Sequence, residues 1–117
     1  MMSAFADPEH ELSPERVAEL LADGGAQVID VREPYEREAG RIPGTLHIEL
    51  ERLASQAERI SRQTPVVFYC RLGARSGMAA QAFRTAGYEA FNLTGGITAW
   101  RDAGLPLEPE GGRVAEH

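Results

Sequence analysis

The chain reads as an α/β domain built on a central parallel sheet with helices on both faces. Three observations lead there. Strand-like and helix-like segments alternate along the whole length. The strand-like segments Ala26–Arg32 and Val66–Tyr69 are apolar runs without clean alternation, the pattern of strands buried on both faces. The only cysteine, Cys70, falls where one of these strands ends and a helix begins. On a parallel sheet that is the carboxyl edge, where such folds bind ligands. At 117 residues the chain is long enough for one domain with a real core and too short for two.

Taken in order, residues 1–11 are polar and acidic and read as a flexible N-terminal tail. Met1–Glu9 has no basic stretch and no long apolar run, so it is not read as a signal peptide. Ser13-Pro14-Glu15 is a helix start, with Ser13 as N-cap and Pro14 at the first helical position. Val17, Leu20 and Leu21 form its apolar stripe, and Gly24-Gly25 stop it. The strand Ala26–Arg32 follows. Asp30 and Arg32, two apart, point to one side of it. Glu33–Ala39 is a short helix or turn, Arg41–Thr45 a turn, and Leu46–Ile48 a short extended piece. Leu50, Leu53, Ala57 and Ile60 recur at spacings of three, four and three, which predicts an amphipathic helix. The Val66–Tyr69 strand leads through the Cys70 loop to a helix carrying Met78, Ala79, Ala82, Phe83 and Ala86, with Gly87 after it. Tyr88–Leu93 is a further strand, Thr94-Gly95-Gly96 a tight turn, and Ile97–Ala103 a last short helix. From Glu108 on, Pro109, Gly111 and Gly112 read as a flexible C-terminal tail, residues 108–117, and His117 as a remnant of expression.

Composition narrows the partners. The formal net charge is −6, which argues against nucleic acid or an anionic membrane surface. No stretch is long and apolar enough to cross a bilayer. A single cysteine allows no internal disulfide and fits a reducing, cytoplasmic setting. All twelve basic residues are arginine, so their charges are permanent. His10, His47 and His117 are scattered and show no metal-ligand spacing; His47 reads as structural, and no metal is expected.

Chemistry concentrates in Cys70-Arg71-Leu72-Gly73-Ala74-Arg75-Ser76. A loop entering a helix points unpaired backbone N–H groups at one spot, and the helix dipole adds positive charge there. Arg71 and Arg75 bring two full charges more. A cysteine so placed exists largely as thiolate, the nucleophilic form.

This loop resembles the active-site loop of the rhodanese-like sulfurtransferases. The resemblance extends over residues 12–107. Asp30-Val31-Arg32 resembles a strand end that the family places near the loop. Arg41-Ile42-Pro43-Gly44-Thr45 resembles its Gly-His-Ile-Pro-Gly-Ala element, departing from the commonest residues at Arg41 and Thr45. Gly95-Gly96-Ile97, Ala99-Trp100 and Ala103-Gly104-Leu105-Pro106 resemble its closing element.

The resemblance implies a single rhodanese-like domain in which Cys70 accepts a sulfane sulfur from a donor such as thiosulfate and becomes a persulfide. A cyanide, thiol or protein-thiol acceptor then takes the sulfur, and no metal or organic cofactor takes part. It implies that Arg71, Leu72, Gly73, Ala74, Arg75 and Ser76 cradle the substrate and persulfide, with Arg71 and Arg75 helping the anion depart. Asp30 and Arg32 are expected to support the loops and balance arginine charge. Phosphatase and arsenate-reductase relatives carry five residues between cysteine and arginine. Here four intervene, which favours sulfur over phosphate chemistry. Two alternatives stand beside the enzyme reading: a persulfide carrier or interaction module in a sulfur relay, and a small cysteine phosphatase or arsenate reductase.

Overall fold

A computed structural model describes residues 8–116. The readings placed on residues 1–7 and on His117 lie outside them. Among the described residues five strands are formed: β1 (Glu11–Leu12), β2 (Gln27–Asp30), β3 (Leu46–His47), β4 (Val66–Tyr69) and β5 (Ala90–Leu93). All pair in parallel, in the order β1-β5-β4-β2-β3. Four α-helices alternate with them: α1 (Pro14–Asp23), α2 (Pro34–Ala39), α3 (Ala74–Thr85) and α4 (Gly96–Asp102). The expected parallel sheet with helices on both faces is therefore present.

Why β4 sits at the centre is legible in its side chains. Val66, Val67, Phe68 and Tyr69 are all fully buried. Successive side chains of a strand point to opposite faces. Val66 and Phe68 accordingly pack with Ile29, Ala80, Phe83 and Tyr88 under α3. Val67 and Tyr69 pack with Val17, Leu93, Ile97 and Trp100 under α1 and α4. Two cores thus lie either side of one sheet, and each would lose about 2–5 kcal/mol from truncation of a single large member.

Local signals held at the helix starts. Ser13 accepts from the Arg16 amide at 3.1 Å, and Gly24 ends α1 in the left-handed region at φ 72°. Glu33 caps α2 reciprocally with Glu36, and Pro34 stands at its first position.

The expected amphipathic helix over Leu50–Ile60 is not formed. Two 3-10 turns, Leu50–Arg52 and Ala57–Arg59, take its place. Their bonds span three residues, as in Leu53 N–H to Leu50 O at 3.3 Å and Ile60 N–H to Ala57 O at 3.0 Å. A spacing of three fits the 3.0-residue period as well as the 3.6, and it still buries Leu53 and Ile60 against the α3 face.

The chain ends also differ from the expectation. Glu11, read as part of a tail, belongs to β1 and pairs with Asn92 of β5. A two-residue edge strand carries no periodic signal. Residues 108–116, read from their Pro and Gly content as a loose tail, run back over α2. The Arg41 and Glu108 backbones exchange two hydrogen bonds of 2.8 Å, Arg113 N–H donates to Ala39 O at 2.9 Å, and Ala115 is buried. Pro and Gly here shape a turn, closed by Gly112 N–H to Pro109 O at 2.7 Å.

Candidate active site

Cys70 directly follows β4, so the buried strand fixes its position. Its residue is 1% exposed. Backbone turns sharply through Gly73, whose φ of 108° is one that side-chain-bearing residues rarely adopt. Gly73 is the N-cap of α3, which therefore begins at Ala74, inside the loop, rather than near Met78. The first N–H groups of α3 consequently border the loop, and the dipole is positive at that end.

Among the described residues, two groups lie within hydrogen-bonding distance of the sulfur. Gly73 N–H donates to Cys70 Sγ at 3.1 Å, and Ser76 Oγ lies 3.3 Å from it. A cavity of about 310 Å³ is lined by Cys70, Arg71, Leu72, Ala74 and Arg75. The loop residues singled out in the sequence are thus brought together at one place.

From below, the loop is held by the start of α4. Ile97 N–H donates to Cys70 O at 2.9 Å, and Thr98 N–H to Arg71 O at 3.2 Å. That approach needs a glycine at Gly96, where any Cβ would collide with the Arg71 and Cys70 backbone. The close Gly-Gly turn is what lets one loop rest on the other.

The two loop arginines are in different situations. Arg75 forks onto Glu36 of α2, Nη1 to Oε1 at 2.9 Å and Nη2 to Oε2 at 3.0 Å. Burial opposes both charges, yet the pair outweighs it. Glu36 is held below the usual carboxylate range by hydrogen bonds from Arg75 and the Glu33 backbone and by the charges of Arg75 and Arg32. Arg75 is raised above the usual arginine value by the hydrogen bond and charge of Glu36. Glu36 therefore takes one hydrogen from each Nη of Arg75, and Arg75 still borders the cavity. Arg71 lines the cavity, and its Nε is buried without a hydrogen-bond partner.

Asp30 and Arg32 do not line the cavity. Both are fully buried, paired through Arg32 Nε to Asp30 Oδ1 and Nη2 to Oδ2, each at 2.9 Å. Arg32 also donates to Gly40 O at 2.8 Å, and Arg37 reaches Asp30 at 3.3 Å and Thr45 O at 2.6 Å. This cluster ties β2 to the segment after α2. His47 Nε2 lies 2.7 Å from Arg32 O; a carbonyl only accepts, so that nitrogen carries the proton. Burial and the nearby Asp30 charge push the Tyr69 hydroxyl up to about 12, so it stays protonated beside Ile42 N–H and Thr45.

Three side chains that the sequence reading passed over take part in holding the loop. Glu36 is one. Asn92 of β5 accepts from Ser76 Oγ at 2.6 Å and donates to Gly73 O at 3.1 Å. Glu11 of β1 receives Asn92 Nδ2 at 3.1 and 3.0 Å. A signal existed for Asn92, the one amide in the otherwise apolar run Ala90-Phe91-Asn92-Leu93. None existed for Glu36, whose partner is 39 residues away.

Comparison with known proteins gives a consistent picture. The family model described as Rhodanese-like domain matches residues 13–103. A sulfurtransferase of Allochromatium vinosum is 37% identical over 105 residues, covering 87% of this chain and 98% of that one. The thiosulfate sulfurtransferase GlpE of Pseudomonas aeruginosa is 33% identical over 111 residues, covering 94% and 99%. In some longer relatives the match spans only 47% to 60% of their length. A solved structure of a rhodanese-related protein from Thermoplasma volcanium superposes with a TM-score of 0.78 at 26% identity, covering 84% and 96%. Among the described residues, no helix is long and apolar enough to cross a membrane.

Proposed function

Because this chain belongs to the rhodanese-like domain family, we propose that it is a sulfurtransferase that carries a sulfane sulfur on Cys70 in a reducing, cytoplasmic compartment. The observation that carries the reading is the setting of Cys70 Sγ: it ends a buried central strand, opens on a cavity, and meets a backbone N–H at the start of α3.

In the first half-reaction the Cys70 thiolate attacks the outer sulfur of thiosulfate or a related donor. The new bond joins Sγ to that sulfur. The donor's S–S bond breaks, and sulfite leaves with its electron pair. Arg71, which lines the cavity, brings its permanent charge to the departing anion and stabilises it. The outer persulfide sulfur then carries the charge among the N–H groups of residues 71–76. In the second half, a thiolate or cyanide attacks that outer sulfur, and Cys70 leaves as thiolate. This is covalent catalysis in two steps with the enzyme's own sulfur as carrier. Arg75, joined to Glu36, holds the loop in shape.

A second reading, a carrier that docks a protein acceptor, has one observation in its favour. Leu72, which lines the cavity, is 57% exposed. Faster transfer to a protein thiol than to cyanide would favour it.

Intact mass before and after thiosulfate tests the central claim. Gain of one sulfur, removed by a thiol reductant and absent in Cys70→Ala, is expected. A folded protein that gains none from either thiosulfate or a persulfide donor would refute it.

A further inference from the structure

The hydroxyl of Ser76 has one hydrogen and two neighbours, Asn92 Oδ1 at 2.6 Å and Cys70 Sγ at 3.3 Å. We propose that Asn92, oriented by Glu11, commits this hydrogen away from the sulfur, so that Ser76 meets Cys70 as an acceptor and works against the thiolate. The proposal rests on Cys70 being the nucleophile, but its test needs no sulfur transfer.

The chemistry of the partners fixes the direction of each bond. Asn92 is 5% exposed and its amide has two ends. One end faces both oxygens of the Glu11 carboxylate, at 3.1 and 3.0 Å, and the Gly73 carbonyl, at 3.1 Å. All of these only accept, so that end is the donor, Nδ2. Thr94 Oγ1 donates to Glu11 as well, at 3.0 Å, and pins the carboxylate. The other end, Oδ1, faces Ser76 and can only accept. The serine hydrogen therefore belongs to Asn92. At 2.6 Å this is a short hydroxyl–oxygen bond. What remains toward Cys70 is a lone pair.

A thiol can donate its hydrogen to that lone pair; a thiolate is repelled by it. Turning the serine hydrogen to the sulfur would leave Asn92 Oδ1 buried and unpaired, which is costly. Asn92 also tethers Gly73, the residue whose N–H donates to the sulfur. One side chain thus positions both groups that touch Sγ, one favouring charge and one opposing it. In the persulfide the charge moves to the outer sulfur, one bond farther from Ser76, and the opposition is relieved. Asn92 and Glu11 are positioning residues in this scheme.

Other charges near Cys70 act on the same titration. Arg71 is its neighbour, Arg75 comes from α3 with Glu36 of α2 joined to it, and Asp30 with Arg32 lies on and just after β2. None of them changes in the substitutions below.

Because Cys70 is the only cysteine, the pH profile of alkylation by iodoacetamide reads its thiolate directly. In Ser76→Ala the profile is expected to move to lower pH. Well below the wild-type midpoint, alkylation should be about fivefold faster, the size of one ordinary hydrogen bond. Asn92→Leu keeps the serine but frees its hydrogen for the sulfur, so its profile should also move to lower pH. A profile that moves to higher pH in Ser76→Ala, or stays in place, overturns the proposal. If circular dichroism shows Asn92→Leu unfolded, the Ser76→Ala result decides alone. Failure of wild type to take up sulfur, with the alkylation shift present, would reject the proposed function and leave this inference standing.

Discussion

At the scale of single residues, the clearest division is between Arg71 and Arg75. Equivalent in sequence, they differ in partner: Arg75 is forked onto the fully buried Glu36, whereas Arg71 Nε has no hydrogen-bond partner. Removing one member of a buried pair strands the other's charge, at a cost of about 3–5 kcal/mol. Arg75→Ala should therefore lower stability by about 3 kcal/mol in denaturant unfolding. Arg71→Ala should leave stability nearly unchanged. It should slow transfer from the doubly charged donor thiosulfate about tenfold or more, and transfer from a singly charged alkyl persulfide less. Parallel steady-state assays with the two donors check this. Equal slowing with both would show that Arg71 does not act on the donor's charge.

At the scale of elements, the loop geometry depends on the turn that enters α4. Gly96 has φ 63°, and a Cβ there would drive into the backbone of Arg71 and Cys70. Gly96→Ala combines left-handed strain of about 1–2 kcal/mol with that collision. A loss of roughly 3 kcal/mol or more in unfolding free energy is expected, together with slower alkylation of Cys70, because the loop must lift from α4. Wild-type stability in this variant would mean the two loops are not in contact. The Leu50–Ile60 stretch shows the converse, where sequence spacing alone misled. Its apolar residues do reach the core, but nothing local distinguishes a 3.0 from a 3.6 period over so few repeats.

At the scale of the whole molecule, the sheet carries two cores and brings distant charges to its carboxyl edge. Glu36 is held below its usual value of 4.5 by its partners. A carboxyl lowered in the folded state contributes stability that is complete above its unfolded value, and this is lost as pH falls through its folded value. The contribution of Glu36 should thus be full from about pH 5.5 upward and fade in stronger acid. Glu36→Gln should be less stable than wild type at pH 7, and the gap should narrow steadily below pH 4.5. Denaturant unfolding across that range measures it. A gap of constant size would show that the Arg75 pair is not what stabilises the folded chain there.

Sequence alone determined the parallel α/β class, the succession of α1, β2, β4, α3, β5 and α4, the caps at Ser13 and Gly24, and the placement of Cys70 at the end of a buried strand. These follow from apolar runs, short-range capping and chain alternation, all of which act between near neighbours. The family was legible too, in the spacing of the cysteine loop. Tertiary structure alone decided which arginine is forked onto Glu36, that Ser76 lies between Cys70 and Asn92, and that Glu11 reaches Asn92 across 81 residues. It also decided that the 108–116 segment lies over α2. Those outcomes depend on pairings brought about by sheet order and packing, and a hydrogen bond between distant residues leaves no periodic trace in the chain.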